Sequence, residues 1–331
     1  MQASETRANW LKERQSIVGV GASESAALFS LHPYLSAFSL FEKLVNPRPP
    51  TEEEAEEEID VQSFGLAIEP YLADWYARKT GRNVAAETPG IARLMNKPYI
   101  FASPDRTYNT RHANVVEDGQ CGVLELKSAV YFKEEEPLPD YWQVQAQQQM
   151  LCTGLPMASF AILGGFRRRY LVNDIPANPA FHAILIERIG LFMLAVQEGS
   201  WGRFDSPVDG SKATTEALKR LYPKETGTAV RLPAEASSRM VEIPGTNTME
   251  LRIGWADRRD QVKAQIKELE AEEARLSNQL RLAIGENTYG ILEDGTGFSL
   301  KTTKGSTYTV TKADYRQLRR VQKMPRGGLL E

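Results

Sequence analysis

Apolar positions recur among charged ones over residues 4–14 in the pattern of a short amphipathic helix, and Gly19-Val20-Gly21 then predicts a turn. Ser23 stands where an N-cap is expected, ahead of a helical Ala26, Ala27, Leu28 and Phe29. A Pro-rich connection over residues 47–50 leads into an acidic block, residues 52–58, that reads as a solvated loop or a helix start. From Phe64 the spacing of Leu66, Ile68, Tyr71, Leu72, Trp75 and Tyr76 is helical, with Gly81 placed as a C-cap.

Shorter apolar runs follow. Residues 99–102 predict a strand ending at Ser103-Pro104-Asp105, and residues 122–127 predict a second. A Gln-rich helix over residues 141–153 is followed by strands at 158–163 and 167–172, then by a long apolar helix at 178–201. Interleaved strands and helices predict an α/β core over residues 1–205. Further on, Val262, Ile266, Leu269, Leu276, Leu280 and Ala283 recur at three- and four-residue steps, interrupted by Glu273, which predicts a helical seam for a partner helix of the same or another chain. Residues 206–285 are therefore expected to form a helical extension. Residues 286–331 are expected to form a small β-rich module, with strands near 290–292, 298–300 and 308–310 and a helical turn carrying Arg316, Arg319 and Arg320.

Composition narrows the classes. With 42% hydrophobic and 25% charged residues the chain is of ordinary globular make-up, and a net charge of −3 means that any polyanion must meet a local basic surface. Two cysteines exclude a disulfide framework, and His32, His112 and His182 are too scattered for a zinc pattern. No apolar run is read as a membrane span and the N-terminus is polar, so a cytoplasmic protein with no membrane partner is expected.

The chemistry concentrates at Asp105, at the end of one strand, and at Glu125-Leu126-Lys127 on the next. Side chains alternate along a strand, so Glu125 and Lys127 share one face while Leu124 and Leu126 point into the core. Taken alone, the pattern also describes a surface strand of alternating charge. A carboxylate and an amine on a buried strand need partners, and a second carboxylate with a divalent cation would provide them. Mg²⁺, which takes one or two carboxylates plus waters and phosphate oxygens, suits such a set.

In this order the pieces resemble the PD-(D/E)XK nuclease superfamily, with Pro104-Asp105 and Glu125-Leu126-Lys127 as its motif, and within it the lambda-type exonucleases and YqaJ-like viral recombinases. The resemblance covers residues 8–165, about half the chain. Trp10 with Arg14, then Gly21-Ala22-Ser23, is similar to the family's N-terminal phosphate-holding segment. Gly65 with Glu69 resembles its metal-ligand helix, Ser103-Pro104-Asp105 its metal-binding Asp motif, and Gln145 with Gln147 its Gln-bearing helix. Three features depart from the family: Arg106 stands where it usually has Gly, residues 108–120 form an insertion, and the step from Arg14 to Ser23 is slightly long. Gln143 competes with Gln145 for the phosphate-facing position, and the distance to Met150 favours Gln145.

The resemblance implies a restriction-endonuclease-like core, a central mixed sheet flanked by helices. It implies Mg²⁺, with Mn²⁺ able to substitute, held by Glu69, Asp105, Glu125 and the Leu126 carbonyl. Lys127 would act on the attacking water, and Arg14, Ser23, Ser103 and Gln145 would position DNA phosphates. The implied activity is digestion of linear duplex DNA from an end, 5′ to 3′, in phage-type recombination beside a single-strand annealing protein, with a homo-oligomeric ring as a further expectation. The alternatives are a related nuclease acting on single strands, on flaps or in defence, and an idle DNA-binding module. For single residues the alternatives are plainer: Ser23 as a helix cap, Gln145 on a solvated helix face, and Tyr141 and Trp142 either stacking a base or packing in the core.

Overall fold

The computed structural model describes residues 13, 16–47, 52–86, 88–112, 115–129, 132, 137–165, 168–201, 204, 208–305, 318 and 320. The helix expected over residues 4–14, Arg14 included, lies outside them apart from Glu13, as do Arg316, Arg319 and the strand expected at 308–310. The chain forms two compact units, Met1–Tyr222 and Pro223–Glu331.

The strands of the first unit are β1 (Val20–Gly21), β2 (Asn83–Val84), β3 (Ala92–Leu94), β4 (Lys97–Ala102), β5 (Arg106–His112), β6 (Val115–Ala129), β7 (Met157–Gly164) and β8 (Arg169–Pro176). Its helices are α1 (Ala37–Val45), α2 (Glu52–Thr80), α3 (Asp140–Thr153), α4 (Pro179–Glu198) and α5 (Lys212–Leu221). The expected α/β core, a central mixed sheet flanked by helices, is the one the chain adopts. That sheet runs β2-β5-β6-β7-β8, with β6 and β7 parallel and the other pairs antiparallel. Parallel neighbours need a crossover, and α3 lies in the segment between β6 and β7.

A second sheet corrects the sequence reading. Strand β4, which leads to Asp105, belongs to a three-stranded sheet β1-β4-β3 rather than to the sheet of Glu125. Gly19-Val20-Gly21 is not a turn: Val20 and Gly21 pair in parallel with Ile100 and Phe101. Glycine is required at position 19 because a Cβ there would collide with the Tyr99 carbonyl oxygen. Nor is Ser23 an N-cap. The segment Ser25–Phe29 is a 3-10 helix whose N-cap is Glu24, without a side-chain cap. The described residues of the insertion, 108–112 and 115–120, lie on the antiparallel strands β5 and β6.

Helix α2 starts at Glu52, so the acidic block is its first turns, and its end at Gly81 is as expected, with φ +72° and the Gly81 amide bonded to the Ala77 carbonyl. Helix α1, not foreseen, starts in a capping box in which Ser36 and Ser39 exchange bonds. Helix α5, grouped in sequence with the helical extension, packs against α1 inside the first unit.

Three apolar clusters hold this unit together. Val20, Ile100, Leu40, Phe41, Val144, Leu185, Ile189 and Phe192 join the small sheet to α1, α3 and α4. Trp142, Ala146 and Met150 pack α3 on Val123, Phe160 and Ile162, while Leu72 and Tyr76 pack α2 on Tyr108, Leu124, Leu126 and Ala161 on the other face. Helix α4, with a mean hydropathy of 1.6, is long and apolar enough to cross a membrane by length and composition, which corrects the expectation that no apolar run reaches that length. Glu187 and Arg188 interrupt the run, and its buried stripe, Leu185, Ile189, Phe192 and Ala195, belongs to the first cluster.

The second unit, taken by itself, has a hairpin of β9 (Arg239–Glu242) and β10 (Met249–Arg252), the helix α6 (Trp255–Ile284), and a hairpin of β11 (Tyr289–Ile291) and β12 (Gly297–Ser299). The turn of the last hairpin uses Gly295 at φ +84°.

Candidate active site

Strand alternation builds the site. Leu124 and Leu126 are buried towards α2, and Val123 is buried towards α3. Glu125 and Lys127 follow Val123 in steps of two and so share its face. Glu125 is only 3% exposed. Its Oε1 accepts from Lys127 Nζ at 2.6 Å and from Gln145 Nε2 at 2.5 Å, and its Oε2 accepts from Gln149 Nε2 at 2.6 Å. Lys127 Nζ also donates to Gln145 Oε1 at 3.1 Å, closing a ring of three side chains. A buried carboxylate is tolerated only when donors meet it, and here three do.

Asp105 lies where the chain passes from β4 in one sheet to β5 in the other. Its Oδ2 accepts from the Leu126 backbone amide at 2.8 Å, which ties that corner to the middle of β6. Burial, with Glu125 close by, holds the Asp105 carboxyl well above the ordinary range, against the opposing pull of Lys127 and the Leu126 amide; Glu69 adds a smaller upward push. For Lys127 burial pulls downward, but Glu125 and Asp105 together outweigh it and the ammonium is held above its usual value. Asp105, Glu125 and Lys127 are thus one electrostatic unit.

Apart from the exposed Gln143, the glutamines of α3 are not a solvated face. Gln145, Gln147, Gln148 and Gln149 are all buried, and each has its own task. Gln149, one helical turn beyond Gln145, reaches the other oxygen of Glu125. Gln148 donates to the carbonyls of both Val20 and Phe101 at 2.9 Å, pinning β1 to β4. Gln147 donates to the Pro176 carbonyl and accepts from the Asn178 amide. Neither Gln148 nor Gln149 was singled out from sequence, although the four-residue step from Gln145 to Gln149 on a helix beside Glu125 was the available signal. Trp142 is a core residue, stacked on Phe160 at 6.1 Å.

Because β1 and β4 are parallel, the chain leaves both strands at the same end, and the paired Gly21 and Phe101 each lie two residues before a serine, Ser23 and Ser103. Ser103 Oγ donates to the Gly90 carbonyl at 3.1 Å. Glu69 lies on α2, and its Oε2 is 3.8 Å from Arg106 Nη1. Arg106 is in turn anchored on the Asp105 carbonyl at 2.6 Å and on Thr88 Oγ1 at 3.2 Å. The residue that departs from the family pattern therefore lies within ion-pair distance of Glu69. His32 sits within electrostatic reach of Lys127 and packs edge-on against Tyr141 at 5.6 Å; burial first of all lowers its pKa. With Tyr34, 82% exposed, these rings form an aromatic rim on the approach to Lys127.

Among the described residues, no group of three or more His, Cys, Asp or Glu side chains is gathered as a ready metal site. The donor chemistry nonetheless fits a hard divalent cation. Asp105 and Glu125 offer only oxygen, and the Asp105 carboxyl, raised first by burial and then by the neighbouring Glu125, is one whose charged form a cation would favour.

Residues 9–156 match the family described as the YqaJ-like viral recombinase domain. The matched segment spans just under half of the chain. It contains every site residue described above, from Ser23 to Gln149. An uncharacterized protein YqaJ of Bacillus subtilis (strain 168) is 24% identical over 297 residues, a match spanning 87% of this chain and 81% of that protein. Among solved structures, an alkaline exonuclease (LHK-Exo) from Laribacter hongkongensis is 20% identical, with 58% of this chain and 93% of that chain covered and a TM-score of 0.42. The same exonuclease in complex with dAMP is 20% identical, with 62% and 93% covered and a TM-score of 0.39.

Proposed function

We propose that the chain is a metal-dependent deoxyribonuclease that digests linear duplex DNA from an end, 5′ to 3′. It would act in the cytoplasm of a bacterial host, in phage-type recombination beside a single-strand annealing protein. The observation that carries this reading is the buried Glu125 with the part-buried Asp105 and Lys127 around it, in which an ammonium is held 2.6 Å from a carboxylate within the segment that matches the YqaJ-like viral recombinase domain. Asp105, Glu125, Glu69 and the Leu126 carbonyl are the proposed ligands of Mg²⁺, or of Mn²⁺ in its place. When bound, the cation supplies charge relief to a phosphodiester and acidifies a water.

The chain's own groups do the rest. Lys127 places its ammonium where the attacking water and the phosphoryl oxygens meet, and Gln145 fixes the direction of that ammonium. Ser23, Ser103 and Arg14 are proposed phosphate contacts, which position the duplex without reading sequence. Arg106 competes with the cation for Glu69 and sets how readily that carboxylate joins the ligand set.

A second reading, an idle DNA-binding module, has one observation in its favour: both oxygens of Glu125 are already taken by side-chain donors. The two part in one assay. Purified protein is incubated with Mg²⁺ and linear duplex DNA labelled at one 5′ end, beside covalently closed circular DNA and an EDTA control. Nucleotide release from the linear duplex alone supports the end-dependent exonuclease. Cutting of the circle overturns end dependence, and binding without hydrolysis favours the idle module.

A further inference from the structure

Helix α6 has 30 residues and a length of about 45 Å. From Trp255 onward its residues fall at alternating steps of four and three into one seam: Trp255, Arg259, Val262, Ile266, Leu269, Glu273, Leu276, Leu280 and Ala283. In heptad terms Trp255, Val262, Leu269, Leu276 and Ala283 take one core position, and Arg259, Ile266, Glu273 and Leu280 take the other. The middle of the seam is open: Leu269 is 69% exposed, Ile266 49%, Leu276 46% and Val262 38%. An apolar stripe of that length, interrupted only by Arg259 and Glu273, favours being covered by another surface.

We propose that a second copy of this chain covers the seam, with its α6 antiparallel to the first. Charge selects both occupant and direction. The basic groups on and beside the seam, Arg258, Arg259 and Lys263, lie in its first half, and the acidic ones, Glu270 and Glu273, lie in its second. Parallel copies would set Arg259 on Arg259, Glu273 on Glu273 and Arg258 beside Lys263, so like charges would meet in the core and on its flank. Antiparallel copies related by a two-fold axis between Ile266 and Leu269 set Ile266 of each on Leu269 of the other. Arg259 then lies within one turn of Glu273 of the second copy, and Lys263 lies beside its Glu270, with every contact made twice.

Arg259 is free enough for this role. Its contacts within the chain, to Asp260 and to the Leu318 carbonyl, are both 3.4 Å long. Charges on the outer face are instead matched within the chain, as in the Arg320 pairs with Asp257 and Asp260 at 2.8 and 2.7 Å. The pairing is independent of whether the first unit cleaves DNA.

Sedimentation equilibrium on the full chain tests it, with helix content followed by circular dichroism. The wild type is expected to associate, and Leu269→Asp, at a position already open to water, is expected to halve its mass with the helix retained. Glu273→Arg is expected to weaken association by about tenfold, because it sets like charges together twice. The double variant Arg259→Glu with Glu273→Arg is expected to restore it. A monomeric wild type overturns the proposal, as does an oligomer indifferent to Leu269→Asp. If Glu273→Arg is silent, or the double variant fails to rescue it, the antiparallel arrangement is overturned.

Discussion

Gln149 donates its side-chain amide to Glu125 Oε2 at 2.6 Å, while Gln145, one turn earlier on the same helix, donates to Oε1. The two glutamines and Lys127 fix the Glu125 carboxylate in position, as its proposed role as a cation ligand requires. Such outer partners orient a ligand and set its basicity.

Gln149→Leu keeps the bulk of the side chain and removes the donor. Cleavage is expected to fall by about 10- to 100-fold, with the Mg²⁺ concentration for half-maximal rate shifted upward. A cation titration of the cleavage rate reads both effects, and an unchanged titration would remove Gln149 from the site.

Asp105→Asn is expected to stabilise the cation-free protein while ending cleavage. The Asp105 pKa is raised in the folded state by burial and by Glu125, so the folded chain keeps a proton that the unfolded chain releases. The resulting stability is present below the unfolded pKa and is lost as pH rises through the folded one. Asn mimics the protonated acid and can still accept from the Leu126 amide. The gap in Tm between variant and wild type in EDTA should therefore widen with pH, and Mg²⁺ should narrow it by stabilising the wild type.

Arg106→Gly is expected to tighten Mn²⁺ binding in calorimetry, because it releases Glu69 from its guanidinium neighbour. Affinity equal to or weaker than wild type would mean that Glu69 is not a ligand, or that Arg106 is needed to hold the Asp105 corner.

Gly122→Ala tests the packing beneath the site. A Cβ at this position would lie 2.5 Å from the Met157 carbonyl oxygen and 2.6 Å from the Tyr108 hydroxyl. The expected cost is about 1–3 kcal/mol, read as a lower denaturation midpoint with an unchanged slope.

Much of the site was legible because it rests on strand alternation. Glu125 and Lys127 share a face and Leu124 and Leu126 are buried on the other, as periodicity requires, while Asp105 lies three residues past the end of β4, at the corner before β5. The missing parts depend on long-range pairing that local pattern does not encode. Val20 and Gly21 read as a turn because a two-residue strand has no period, and only the distant Ile100 and Phe101 make it one. Gln145 could be read as part of a solvated face because polarity signals exposure, and Gln148 and Gln149 carry no local signal of burial, whereas all three are buried on partners contributed by other segments. The Arg106 contact with Glu69 joins a strand to a helix far apart in the chain, and sequence marked Arg106 only as a departure from pattern.

The most direct test compares nucleotide release from linear duplex DNA by the wild type and by Lys127→Ala, with DNA binding measured in parallel. If the unit of Asp105, Glu125 and Lys127 is the cleavage centre, the variant should lose about a thousandfold in rate or more, with its fold and most of its DNA binding retained. Cleavage by Lys127→Ala at the wild-type rate would contradict the assignment.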